Sequence, residues 1–273
     1  MSVHSRYRTG LWHPYEKPMY GVLLNPYHPL AQGLIGCWLF NEGGGNTVFD
    51  LSGYGNHGTL GGSTKPSWQV GIKGLGMYFD TAGSYINTGS DSILNPLHQI
   101  SIAALIYPTG WGSGNNFGRI IQRFDGTTTA YDLYLRYTGN FRFAASGDFV
   151  QTADGSISLD NPYLLVGTYD GSNLNAYING NLSASEPETG DIYSVDTDTV
   201  IGNNNDFNRT FAGYIFFVFL YERALSSSEV AQLYENPYCM FYHPLEAELL
   251  YAAPPAYGIV PQAMHHYRML REV

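Results

Sequence analysis

Charge is scarce in this chain, and positive charge scarcer still. Only 13% of the 273 residues are Asp, Glu, Lys or Arg, with 13 Lys and Arg against 23 Asp and Glu and a formal net charge of −10. A protein that grips phosphate backbones without regard to sequence needs a basic stripe that releases counterions, so nucleic-acid binding is not expected. Cysteine is nearly absent. Cys37 and Cys239 stand near opposite ends of the chain, make no disulfide framework, and read as two free thiols in packed surroundings. Long apolar runs are missing too: YIFFVFLY at 214–221 is far short of the roughly 20 residues that span a bilayer as a helix, so no membrane anchor is expected. The opening MSVHSRYRTGLWHPYEKPMY holds charges and prolines where a secretory signal has an unbroken apolar stretch, so export by that route is not expected.

What the chain has instead is turn formers and rings: 32 Gly, 23 Tyr and 14 Pro within a composition that is 44% apolar. This disfavours helical bundles and coiled coils, while a chain of this length can bury about three quarters of its unfolded surface. Three zones separate. Residues 1–32 contain Pro14, Pro18, Pro26 and Pro29 and show no apolar period of 2 or 3.6, so they read as an N-terminal extended arm. Residues 33–235 alternate short β-branched and aromatic runs with Gly, Asn and Asp turns every 8 to 12 residues or about that, the pattern of an all-β sandwich or barrel. Residues 236–273 return to proline, ring and methionine content as a C-terminal arm, with a short helix suggested at HHYRMLREV. The central zone carries eight basic and 19 acidic residues, whereas the N-terminal arm has Arg6, Arg8 and Lys17 against Glu16, so arm and body are complementary in charge.

Turn chemistry in the central zone is specific. Asp170-Gly171, between Tyr163 to Thr168 and Leu174 to Ile178, and Asn179-Gly180, after Ile178, accept the positive φ of tight hairpins and give three successive antiparallel strands. Tyr137 to Asn140 turns the run Tyr131 to Arg136, which alternates in period 2, into Phe141 to Ala145. Ser226 and Glu229 have capping-box spacing, opening a helix through Val230, Leu233 and Tyr234 that stops before Asn236-Pro237. Phe211 to Leu220 is apolar throughout, as in a central strand covered on both faces. Asp50 and Asn56, in a glycine-dense loop, are placed to satisfy backbone N–H groups.

Five stretches in order, GLIGCWLFNEGGGNTVFDLSGYGNHGTL at 33–60, MYFDTAGSYINTG at 77–89, SIAALIYPTGWGSGNNFGRII at 101–121, YDGSNLNAYING at 169–180 and FAGYIFFVFLYERALSSSEVAQLY at 211–234, resemble the LamG-like, concanavalin A-like family. The resemblance is strongest to versions carried by bacteriophage and environmental viral proteins. It covers nearly all of 33–235 and leaves both arms outside. It implies an all-β, two-sheet antiparallel jelly-roll sandwich with one short C-terminal helix, flanked by extended N- and C-terminal arms.

That fold serves glucanases, lectins and structural modules alike, so function has to come from a site. The Glu-x-Asp-x-x-Glu string of the glucanase relatives is absent, and the acids at 186–188 and 191–198 sit in loop-like context, so no paired catalytic carboxylates are assigned. No Gly-x-Ser-x-Gly elbow occurs, and His57 and His98 read as loop histidines with hydrogen-bonding duties. Calcium is the ion the resemblance brings to mind. Where many relatives have an acidic pair, this chain has Phe216 and Phe217; Asp50, Asp80, Asn203, Asn204, Asn205 and Asp206 are the remaining oxygen donors, and neither metal site nor cofactor is assigned. The loop around Trp111, with Asn115 and Asn116, has the ring-and-amide composition of a sugar site, and Asn203 and Asn205 add amides. The competing reading has Trp111 folded back over the sandwich edge.

Ordering some 70 residues of arm costs roughly 1–2 kcal/mol of backbone entropy each, which calls for a partner surface. Trp12, Tyr15, Tyr20 and Tyr27 at one end, and Phe241, Tyr242, Tyr251 and Tyr257 at the other, are the rings expected to supply it. The expected function is a non-enzymatic virion structural protein, a phage capsid decoration or surface protein. It would be made in the host cytoplasm and held to sister subunits or to a capsid protein by its arms. The alternatives are a lectin-like module binding cell-surface glycans and a subunit of an extracellular filament.

Overall fold

The computed structural model describes residues 16–80, 83–113 and 117–242. They form sixteen strands and one α-helix, α1 (Ser227–Glu235). One sheet runs β14 (Asn181–Pro187), β13 (Asn173–Ile178), β12 (Tyr163–Tyr169), β7 (Ile100–Gly110), β16 (Ala212–Tyr221), β5 (Gly74–Phe79) and β4 (Ser67–Gly71). In addition, β1 (Leu34–Trp38) pairs with the C-terminal half of β16. The second sheet runs β11 (Asp148–Gln151), β10 (Asn140–Ala145), β9 (Thr129–Arg136), β8 (Phe117–Phe124), β15 (Thr199–Ile201), β6 (Tyr85–Asn87), β3 (Gly58–Gly61) and β2 (Thr47–Val48). The strand pairings in both sheets are antiparallel.

The expected turns are where the sequence puts them. Asn179 and Gly180 both have positive φ, 50° and 83°, the conformation that joins two strands without splaying them. In α1, the Ser226 side chain accepts from the Glu229 N–H and the Glu229 carboxylate accepts from the Ser226 N–H, the two halves of the capping box. Asp50 Oδ1 accepts from the N–H groups of Cys37 and Ser52 and its Oδ2 from that of Asn56, which fixes the glycine-dense loop against β1.

Two hydrophobic clusters lie on either side of the first sheet. The sandwich core joins both sheets through residues such as Trp38, Phe79, Ile102, Tyr131, Leu133, Phe141, Phe143, Tyr169 and Leu220. The other covers the outer face of the first sheet, and β16 feeds both. Ile215, Val218 and Leu220 enter the core, whereas Phe217, Phe219 and Tyr221 join the outer cluster, with a register shift between Ile215 and Phe217. This is why the run is apolar throughout. It also explains phenylalanine at 217, whose ring stacks on Phe219 at 4.2 Å and meets Tyr238 edge-on.

Here the structure departs from the arm boundaries drawn at 32 and 236. Leu24 and Leu30, and at the other end Tyr238, Met240 and Phe241, are buried in the outer cluster with Leu225, Val230 and Leu233. Leu24 bridges to Phe241, and the Tyr242 N–H donates to the Leu23 carbonyl. Residues 16–32 and 236–242 thus pack on the chain's own sandwich, and Phe241 spends its ring there. The physical reason is the outer face of β16, three rings that need a lid. Single apolar residues on irregular backbone supply it, and such segments carry no period for a sequence reading to detect. Tyr20 and Tyr27 stay exposed, at 46% and 83%. Trp12, Tyr15, Tyr251, Tyr257 and the helix expected at the C-terminal end lie outside the described residues.

Candidate functional site

Among the described residues no second apolar cluster covers the outer face of the second sheet. On β9 the side chains of Tyr131, Leu133 and Leu135 enter the core, so Asp132, Tyr134 and Arg136 stand on the opposite face. Register places Gln122 of β8 and Ala144 of β10 beside Asp132, and Arg119 and Arg142 beside Tyr134. Ala144, the smallest of these, leaves a depression over Asp132. A groove of about 610 Å³ opens there, lined by Arg119, Asp132, Tyr134, Phe149, Tyr193 and the 127–129 turn among others. Phe149 and Tyr193 are exposed enough to act as its walls, at 41% and 49%.

The floor is a buried ion pair. Arg119 Nη1 lies 2.9 Å from Asp132 Oδ2, with the two side chains only 7% and 4% exposed, and Gln122 Nε2 donates to the same oxygen at 2.9 Å. Asp132 Oδ1 has no hydrogen-bond partner, and the Arg119 contact is aligned so that neither Nη1 nor Nε makes a hydrogen bond. Unsatisfied buried groups of this kind are costly and call for a partner, whether an ordered water, an ion or a ligand. Burial pushes the Asp132 carboxyl up to about 6, against the opposing pull of Arg119, the Gln122 hydrogen bond and Arg209. The Arg119 guanidinium also lies 3.7 Å from the centroid of the Tyr134 ring, which locks both side chains in place.

A second groove, of about 510 Å³, opens elsewhere on this face, with Thr59, Tyr85, Asn87 and Asp198 among its lining. Tyr85 stacks on Phe207 at 4.1 Å, and Asn87 donates to Asp198 at 2.6 Å. The Asn87 and Asp198 side chains there are already paired, which gives them less reason to take a ligand.

Trp111 is half-buried against the sandwich core and lines neither groove. Its loop is stitched down by reciprocal bonds between Ser113 and Thr210. Asn115 and Asn116 lie outside the described residues. Asn203 is fully buried and structural, donating to Ser84 and Thr210 and accepting from the N–H groups of Asn204 and Arg209. Asn205 does reach the site's surroundings. Its N–H donates to Gln122 Oε1 at 3.3 Å, one step from Asp132, and its own Oδ1 is buried without a partner.

Arg119, Asp132, Tyr134, Phe149 and Tyr193 were not singled out from sequence. The signal for Asp132, Tyr134 and Arg136 was present, as the polar half of the period-2 run at 131–136. Among the described residues no group of three or more His, Cys, Asp or Glu gathers to hold a metal, and no helix is long and apolar enough to cross a membrane. His57 Nδ1 accepts from the Asp50 N–H at 3.0 Å. His98 pairs with Asp191 at the surface.

Two antiparallel sheets stacked over one core, the first covered outside by an apolar cluster and the second carrying a polar groove, define a lectin-type jelly-roll sandwich. The chain belongs to the concanavalin A-like lectin/glucanases superfamily, whose model matches residues 80–231. No curated protein matches the sequence significantly. Among solved structures it is similar to domain 4 of AbnA, a GH43 extracellular arabinanase from Geobacillus stearothermophilus, in complex with arabinotriose. That match has a TM-score of 0.59 at 21% identity over 73% of this chain and 97% of that one. It is also similar to the receptor-binding domain of botulinum neurotoxin D, with a TM-score of 0.57 at 18% identity over 76% of this chain and 54% of that one. A third is Trypanosoma rangeli sialidase in complex with sialic acid, with a TM-score of 0.57 at 16% identity over 80% of this chain and 36% of that one. At these identities the likeness is one of fold.

Proposed function

We propose that this protein is a non-enzymatic glycan-binding module whose site is the groove over Asp132. The observation that carries the reading is the buried Arg119–Asp132 pair, with Oδ1 and Nε unpartnered beneath a groove walled by Phe149 and Tyr193. Rings that stack on sugar faces beside a few fixed polar groups are the usual makings of a carbohydrate site. Arabinotriose and sialic acid in the neighbours' structures are in keeping with it. Hydrolysis is not part of the proposal. Asp148, the other carboxylate lining the groove, accepts from the Phe149 N–H at 2.8 Å, turned to its own backbone rather than toward Asp132. The test is titration of the full chain with a panel of oligosaccharides. Binding should be weakened at least tenfold by Phe149→Ala and left unchanged by Phe207→Ala, which removes the ring stacked on Tyr85 of the second groove. No binding to any saccharide, or loss through Phe207→Ala alone, overturns it.

A second reading, a virion-surface or filament subunit that associates through its end segments, is favoured by Met19, Tyr20 and Tyr27, exposed at 79%, 46% and 83% on the N-terminal stretch. Light scattering tests it. The intact chain should form a defined oligomer, alone or with a capsid protein, and Tyr20→Ser with Tyr27→Ser should disperse it. A monomer under every condition, with no capsid protein bound, argues against it.

A further inference from the structure

Four of the chain's 13 basic residues, Arg119, Arg136, Arg142 and Arg209, converge beside this one groove in a protein of net charge −10. The guanidinium carbons of Arg119, Arg136 and Arg209 lie 5.8, 5.6 and 5.3 Å from the centroid of the single Phe117 ring. Arg142 lies 4.0 Å over Phe149, on the groove wall, and its Nη1 donates to Tyr134 Oη at 3.3 Å. Of these four arginines, only Arg119 has a carboxylate of a described residue within ion-pair distance, Asp132. Arg136 and Arg142 both donate to the same neutral oxygen, Oε1 of Gln151, and Arg209 makes no side-chain hydrogen bond to a described residue. The nearby acids are otherwise engaged: Asp148 by the Phe149 N–H and Asp154 by Asn140.

Like charges held this close repel, and a folded chain rich in acids could have neutralised them cheaply. Aromatic rings lie beside the guanidinium groups instead, Arg136 and Arg142 donate only to neutral oxygens, and Arg209 makes no side-chain hydrogen bond to a described residue. That is the arrangement arginine uses to receive carboxylate or sulfate groups through paired N–H donors.

We infer that the groove takes an anionic glycan, one bearing carboxylate or sulfate groups, with Arg136, Arg142 and Arg209 reading its charge; this rests on the groove being the glycan site. The experiment is calorimetric titration of the full chain with oligogalacturonate, dextran sulfate, uncharged dextran and a short DNA duplex. One or both acidic saccharides should bind at least tenfold more tightly than dextran, with affinity falling as salt rises. Arg136→Gln with Arg142→Gln should cost at least tenfold on the acidic probe and leave the melting temperature unchanged. Should that pair melt early, Arg209→Gln alone serves the same purpose. A neutral saccharide bound equally well and indifferent to these variants overturns the charge reading while leaving the groove as the glycan site. No saccharide bound at all overturns both. DNA bound as tightly as dextran sulfate with the same arginine dependence makes the face a general polyanion surface and overturns the glycan assignment.

Discussion

Lys17 Nζ donates to the carbonyl oxygen of Phe216 at 2.6 Å, across 199 residues of sequence. The same ammonium donates to the carbonyls of Phe40, at 3.1 Å, and Leu75. Three backbone oxygens from separate segments converge on one cation, so the segment around Lys17 is latched to the middle of β16. Lys17→Met keeps the stem and removes the donors, leaving three carbonyls short of a partner. It should destabilise the fold by about 1–3 kcal/mol, seen as a melting temperature lower by about 3–10 °C. An unchanged melt would show the latch to be idle.

The cover on the first sheet gives a second expectation. A chain begun at residue 33 loses Leu24 and Leu30 from the outer cluster, each burial contributing about 1.5–3 kcal/mol, and bares Phe219 and Tyr221. It should melt at least about 10 °C below the intact protein and bind a hydrophobic dye. Equal stability would mean that residues 16–32 are an arm after all.

Asp132 sets a pH dependence. Its carboxyl, faced by Arg119, Gln122 and Arg209, is pushed up to about 6 from 3.8 by burial. Between those values the folded chain holds more protons than the unfolded one. The group's contribution to stability is therefore present at low pH and lost as pH rises through about 6. For an anionic ligand the same proton removes the one negative charge beside Arg119, so affinity should rise as pH falls from 7 to 5. Asp132→Asn should flatten that profile. A flat profile in the unaltered protein would count against Asp132 facing the ligand.

Alkaline pH acts on the rings. Burial raises the phenol of Tyr131 to about 12 and lifts those of Tyr221 and Tyr238 well above their usual 10. Above pH 10 the unfolded chain gives up these protons while the folded chain keeps them, so stability must fall as pH rises. Absorbance at the tyrosinate band should show these phenols ionising only together with unfolding. Smooth titration of every tyrosine in the folded state would contradict the burial.

The sheet architecture was legible because its signals are local: the Asn179–Gly180 turn, the Ser226–Glu229 box, the two-residue period at 131–136. The groove was less so. Asp132, Tyr134 and Arg136 appear in that same period, but their meaning depends on Arg119 and Gln122 from β8, Arg142 from β10 and Arg209 from the loop after β15, which only strand pairing brings together. Trp111 could be read from sequence in two ways, as a sugar platform or as a ring folded back over the sandwich edge. A ring among glycines looks presented to solvent, yet the Ser113–Thr210 stitching lays it on the core. Leu24 and Phe241 were illegible as partners because their contact spans nearly the whole sequence.

Leu24 and Phe241 meet on one flank of the molecule, and the arginine-ringed groove opens on the other. A pull applied between the Leu24–Phe241 contact and the groove is therefore carried through the thickness of the sandwich. Traction of that kind runs across the interleaved side chains between the sheets and leaves the strand ladders unsheared, so the interlayer core is where a pull would be borne.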